Sequence, residues 1–296
     1  MTDFFSNLLR IATLVFAVSS MLSVGFSYTV RQIIDPLRNA RLVIGALVAN
    51  FVLVPLLAFA VTRVLSLGQA RNVGLILVAS AAGAPFLIKL TQAAGSDLAV
   101  ATGLLVLLLV VTIVYMPGVV PLIVPGSAVS ASSIARPLVL TMLLPLVVGL
   151  VVHPLIPTWT DRLLPLLGPV STVALVVLVM STVLADFRPL LLVSGTGAIL
   201  AVLLLIGGAF AFGYLLGDPK TGTRDELGLA TGQRNIAAAT VVATQSVGNP
   251  DTVVMVVVTS MVRLAILFPL AGALGRRAER GVQTEATRKR RKQSMD

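Results

Sequence analysis

The sequence predicts an all-α polytopic membrane protein built from inverted repeats around two discontinuous, crossing helices. Three observations carry this expectation. Of 296 residues, 57% are hydrophobic and 11% are charged, whereas a soluble domain carries about 25% charged residues. The apolar residues gather into nine runs, most of them near the ~20 residues that cross hydrocarbon. Two of those runs, the third and the eighth, are interrupted by glycine at corresponding places.

The composition also excludes much chemistry. The chain has no cysteine and a single histidine, His153, so disulfides, thiolate sites and histidine metal clusters are out. The net charge is +10, but eight of the 22 basic residues follow Gly275. The charge is therefore a tail rather than a nucleic-acid surface. No paired carboxylates or nucleophile–base pair stand within the runs, which speaks against an enzyme.

The first run, residues 8–28, is too long for a signal-peptide core and reads as a retained span. A charged loop follows, from Arg31 to Arg41. The second span covers 42–62 and carries Pro55, where a kink is expected. The third covers 73–94 and the fourth 97–116, after the turn Gly95-Ser96-Asp97. A loop rich in Pro, Gly and Ser is expected over 117–136. The fifth span is 137–152, ending at His153-Pro154. His153 reads as an interfacial residue, and Trp159 as a headgroup-level anchor. The sixth span is 163–185, closed by Asp186-Phe187-Arg188-Pro189, and the seventh is 190–216. The charged loop 217–226 leads into the eighth. Gly248-Asn249-Pro250-Asp251 separates it from the ninth, 252–274. Asp97 and Asp251 both read as amino-terminal caps. Residues 1–274 form the membrane domain, and 275–296 read as a disordered basic tail on the cytoplasmic side.

The two interrupted runs carry the chemistry. The stretch Leu227–Gln245 contains Ala230-Thr231-Gly232-Gln233-Arg234-Asn235. A charge, two amides and a glycine at membrane depth are costly unless protein or a water-filled cavity surrounds them. The third run contains Gly83-Ala84-Pro85 and then Lys89. Each break has its unusual residue two places after the glycine. Each run ends in a Gly-containing turn closed by an acid. The turns lie five spans apart, so the halves are inverted. Paired broken segments of this kind point to a binding site between repeats of a secondary transporter. The basic residues of the first loop, the seventh loop (Lys220, Arg224) and the tail fall on one side. That side is expected to be cytoplasmic, with the amino terminus outside, in a plasma (inner) membrane.

These residues resemble the bile acid:sodium symporter family. The likeness rests on Ala230–Asn235 with the Ile-Ala-Ala-Ala that follows, on Gly-Ala-Pro at 83–85, on the Gly95–Asp97 turn, and on Asp35-Pro36-Leu37. It runs from about Leu8 to Leu274. The resemblance implies a nine-helix, bacterial-type member. Spans 1, 5 and 6 (about 8–28 and 137–185) would form a panel. The remaining spans (about 42–116 and 190–274) would form a core in which the broken helices cross. Sodium-coupled members carry Glu-x-Gly-x-Gln-Asn in the second crossing helix, and its Glu and Gln help bind the ion. Here Ala230 and Arg234 occupy those places, while Gly232 and Asn235 agree. Ser and Asn after the first break are replaced by Pro85 and Phe86.

The implied function is secondary transport of a small organic anion, with no other cofactor and with sodium not required. Gly83, Pro85, Lys89, Thr231, Gly232, Gln233, Arg234 and Asn235 are the expected substrate or crossover residues. Lys89 and Arg234 are expected where cations stood, with Thr91, Gln92 and Thr102 as neutral donors. Arg263 reads as lining an interface between helices. A proton-coupled or uncoupled carrier of the same fold, or a non-transporting ligand sensor, are the alternatives. The bilayer is the expected environment and nucleic acid is not an expected partner.

Overall fold

The computed structural model describes residues 2–123, 131–193, 197–219, 221–243, 247 and 249–293, and among these all regular structure is helical. Six helices are long and apolar enough to cross a membrane: Ala40–Val64, Leu98–Leu122, Ala135–Leu155, Pro157–Val177, Ala198–Leu216 and Pro250–Arg280. Ile11–Ser27 joined to Val30–Arg38 with a 104° bend makes a seventh candidate. The chain is an integral, multi-pass membrane protein. Its two interrupted runs fall outside that group because each is divided into helices too short to span.

The first helix, α1 (Thr2–Ser27), is followed by α2 (Val30–Ile34) and a 3-10 turn, Asp35–Arg38. The stretch expected as a charged loop is thus largely helical. Thr29 and Gln32 form a reciprocal capping box that starts it, and Arg31 and Arg38 flank Asp35 at 3.7 and 3.4 Å. These local bonds satisfy the end groups that a loop would leave to water.

The second span combines α3 (Ala40–Val48), a π turn (Ala49–Leu53) and α4 (Val54–Val64). Pro55 has no N–H to offer the Phe51 carbonyl. That carbonyl accepts from the Tyr115 hydroxyl at 3.0 Å instead. A second π turn, Val139–Leu143, stands just before Pro145 in the fifth span. The same device recurs, a widened turn absorbing a proline.

The third span is broken into α5 (Gln69–Ser80) and α6 (Phe86–Ala94). The next helix, α7 (Leu98–Ile123), starts at an Asp97 cap: the carboxylate accepts from the amides of Ala99 (2.7 Å) and Val100 (3.3 Å). It continues past Pro117 and Pro121, so helix replaces the first part of the loop expected at 117–136. Residues 124–130 of that loop lie outside the described residues. Helix resumes in α8 (Ala131–Leu138) and α9 (Leu144–Leu155).

One long helix, α10 (Pro157–Val193), runs through Asp186–Pro189, where a boundary was expected. The boundary falls instead before α11 (Ala198–Leu216), at Gly197 with φ +75°. Gly197 stands at the amino end of α11, and a left-handed residue breaks helical continuity where an isolated charge does not. The eighth span is broken into α12 (Arg224–Gly232) and α13 (Ile236–Val242). The last helix, α14 (Pro250–Gln293), continues into the basic tail. Arg, Lys, Gln, Glu and Ala dominate there, and all favour helix. The cap of α14 is Asn249, which accepts from the Asp251 amide at 2.9 Å. Asp251, expected as the cap, sits in the first turn and pairs with Arg71. Gly248 lies outside the described residues.

The α1 helix packs along α9 and α10, the group that the resemblance assigns to a panel. Gly25 and Gly149 bring α1 and α9 within backbone contact. Elsewhere α5 packs on α14 and α11 on α12. Three contacts tie the loops together. Arg41 meets Asp218 at 3.6 Å, Arg71 meets Asp251 at 3.9 Å, and the Asp97 amide donates to Glu226 at 3.0 Å. On the nine-span path expected from the sequence, the members of each pair would fall on one face.

Candidate functional site

The site is where the two breaks meet. Residues 81–85 and 233–235 leave the helices, and Ala82 and Arg234 pair as an isolated antiparallel bridge. The Asn235 amide donates to the Ala81 carbonyl at 2.9 Å. Its side chain donates to the Gly83 carbonyl at 2.8 Å and accepts from the Ala238 amide at 3.1 Å, capping α13. On the other side Thr112 clips Ala82: its hydroxyl donates to the carbonyl at 2.9 Å and accepts from the amide at 3.1 Å. Every free backbone group used here would otherwise lie unsatisfied at membrane depth.

Gly83 is needed at the first break for two reasons. Its φ is +71°, and a Cβ there would run into the Leu108–Leu109 backbone. Pro85 then begins the turn that leads into α6: the amides of Leu87 and Ile88 donate to the Ala84 and Pro85 carbonyls at 3.0 and 3.2 Å.

Arg234 is fully buried. Its guanidinium donates to the Ala79 carbonyl at 3.2 Å, near the carboxyl end of α5. It also donates to the Thr231 carbonyl, at the carboxyl end of α12, and to the Asn50 side chain. The carboxyl end of a helix carries roughly half a negative elementary charge. Two such ends converge on one fixed positive charge, which is why an arginine is tolerated here. Asn50 completes the arrangement by donating to the Thr231 hydroxyl at 3.2 Å and to the Ala46 carbonyl at 2.9 Å.

The second cation at the crossing is not Lys89. The Lys89 ammonium leaves the crossing and donates to Thr172 of α10 at 3.0 Å. Lys89 lies within α6, and a full helical turn carries its side chain ~5.4 Å along from the break. Arg263 of α14 takes the place instead. It is 6% exposed, donates to the Arg234 carbonyl at 3.0 Å, and lies over the Phe86 ring at 5.4 Å. Among the described residues the ion pairs all lie elsewhere, between exposed or half-buried groups.

The remaining expected residues divide. Thr231 and Gln233 are at the crossing; the Gln233 amide group donates to the Arg234 carbonyl at 3.4 Å and its oxygen has no partner. Gly232 ends α12 against Leu267 and Phe210. Thr91 bonds within its own helix, to the Leu87 carbonyl at 2.9 Å. Gln92 is exposed, and Thr102 is buried with an unpartnered hydroxyl. Asn50, Thr112 and Arg263 are the site residues that the sequence reading passed over or placed elsewhere. A lone Asn in an apolar run and a lone Arg in another were the available signals.

The geometry has counterparts among known proteins. The family model described as "Sodium Bile acid symporter family" matches residues 14–190. A probable sodium/metabolite cotransporter, BASS2, chloroplastic, from Oryza sativa subsp. japonica is 26% identical over 241 residues. That alignment covers 78% of this chain and 56% of the relative, so the chain spans little more than half of the rice protein. A probable sodium/metabolite cotransporter, BASS1, chloroplastic, from Arabidopsis thaliana is 28% identical over 284 residues, covering 92% of this chain and 68% of the relative. With its broken helices crossing at Ala82 and Arg234 and the family model matched over more than half its length, the chain belongs to the sodium bile acid symporter family.

Proposed function

We propose that this chain is a secondary transporter of a small organic anion in which the Arg234 guanidinium stands in for a bound sodium ion. One observation carries the reading: a buried arginine receives the oxygens of Ala79, Thr231 and Asn50 at the meeting of two helix carboxyl ends. Those are the hard oxygen donors that a small cation prefers. With a guanidinium among them, an added sodium ion meets a fixed like charge. At ~4 Å and an effective dielectric of 20, that repulsion is about 4 kcal/mol, close to a thousandfold in affinity. Ala230 supplies no carboxylate to offset it. The names of the plant relatives support the transport of a metabolite, and the substitutions argue for coupling that does not use sodium. The same reading places the chain in a plasma membrane with its carboxyl terminus inside.

The test is a thermal-shift screen of the purified protein against anionic metabolites, in sodium and in potassium buffer. The expected result is a set of anions that raise the melting temperature equally in both. Stabilisation by sodium itself, or by anions only when sodium is present, would contradict the substitution of Arg234 for the ion.

A further inference from the structure

We propose that Arg263 is the anion-receiving group of this protein, and that it forms with the amino end of α6 a subsite for a small monoanion. The proposal rests on the carrier reading above and assigns the contact which that reading leaves open. A guanidinium has five N–H donors. Arg234 spends its two terminal nitrogens on three acceptors, and only its Nε is left buried without one. Among the described residues Arg263 makes one hydrogen bond, from Nη1 to the Arg234 carbonyl. Its Nε is buried and has no acceptor, although the residue is only 6% exposed.

The Phe86 face beneath the guanidinium attracts a cation but accepts no conventional hydrogen bond. No carboxylate pairs with Arg263 among the described residues. A buried cation with unused donors and no counter-charge is half of a site.

The other half is the helix end. Phe86 is the first residue of α6, and the guanidinium lies over its ring, which brings the cation beside the positive end of that helix. The Leu87 and Ile88 amides already donate to the Ala84 and Pro85 carbonyls, so towards an anion the helix adds its dipole while the guanidinium supplies the hydrogen bonds. The surroundings restrict its kind. The Phe86 and Phe268 rings lie 6.0 Å apart beside the guanidinium, an apolar wall suited to a short alkyl body. Lys89, the next cation along α6, is engaged with Thr172. The fit is to one carboxylate carrying a small apolar group, or to a halide that presents the same single charge.

The experiment uses the full chain in detergent and chloride-free buffer, read by melting temperature and titration calorimetry. The probes are isobutyrate, its neutral amide, and chloride. Isobutyrate is expected to stabilise the protein and the amide is not. Arg263→Gln is expected to weaken isobutyrate binding at least tenfold, and Arg263→Lys severalfold. Arg276→Gln, which removes an exposed tail charge, is expected to change nothing. If Arg263→Gln does not fold, the Arg263→Lys comparison and the acid-versus-amide comparison in the unaltered protein decide. A response to chloride alone, lost in the Arg263 variants, supports the site and assigns it to an inorganic anion. Undiminished isobutyrate binding in both Arg263 variants would overturn the subsite and leave the carrier reading standing. No response of the unaltered protein to any anion would overturn both.

Discussion

Asn50 ties the second break to α3 through three bonds. Its carbonyl oxygen receives the Arg234 guanidinium while its amide donates to Thr231 and Ala46. Replacing it by leucine leaves a charged donor buried without its acceptor. A hydrogen bond to a charged group is worth about 2 kcal/mol, so Asn50→Leu is expected to lower the melting temperature by several degrees. Asn50→Asp restores the acceptor with a counter-charge, and it is expected to melt well above the leucine variant. Equal melting of the two in a thermal scan would show that Asn50 does not hold Arg234.

Gly83→Ala faces both a positive φ and the Leu108–Leu109 backbone. A loss of more than 1 kcal/mol is expected, visible as reduced yield of folded protein by size-exclusion chromatography. Asp97→Ala removes a helix cap at a cost of about 1 kcal/mol. The same thermal scan checks it, and an unchanged midpoint would contradict the capping role.

At the scale of elements, the breaks at Gly83–Pro85 and Gly232–Arg234 were legible because glycine, proline and charge are conspicuous in hydrocarbon-facing sequence. Lys89 was misplaced for a geometric reason. Sequence distance from the break ignores the helical turn that carries the side chain along α6. Arg263 is an equally conspicuous charge, but its place at the site is not legible, since only the folding of α14 against α6 brings it to Phe86. The helix boundaries at 117–136 and 186–189 were misjudged because proline and isolated charges were read as stops. Left-handed glycines mark boundaries instead, Gly95 ending α6 and Gly197 preceding α11.

The loop contacts supply an element-scale test. Arg71 and Asp251 tie the first turn of α5 to the start of α14 through a long, half-exposed pair, the kind worth at most about 1 kcal/mol. Its counterpart joins the Asp97 amide to the buried Glu226 carboxylate. Glu226→Ala is expected to speed hydrogen exchange in peptides covering 93–100. Arg71→Ala is expected to change exchange near 249–254 much less. The reverse order would mean that the exposed pair, not the buried one, holds the core loops.

At the scale of the whole molecule, the all-helical membrane architecture followed from composition and run length alone. The order of spans and the two interruptions, with the short motifs at the breaks, carry the likeness to the family. What composition does not specify is the path. Reporter fusions after Gly275 and within 117–136 are expected to lie on opposite sides of the membrane, with the former inside. Finding both on one side would contradict the alternating nine-span path and the inverted repeats that depend on it.

The central claim is that a protein guanidinium replaces a bound cation at the crossing. Arg234→Gln alone is expected to loosen the crossover without creating sodium dependence, because Ala230 still offers no carboxylate. Ala230→Glu combined with Arg234→Gln is the change expected to create it. The most direct measurement is uptake of a stabilising anion into proteoliposomes, at fixed membrane potential and pH, with sodium replaced by potassium. Equal initial rates in the two salts are the expected result for the unaltered protein. A steep, saturable dependence on sodium would contradict the account, since the ion would then bind at oxygens other than those that Arg234 occupies.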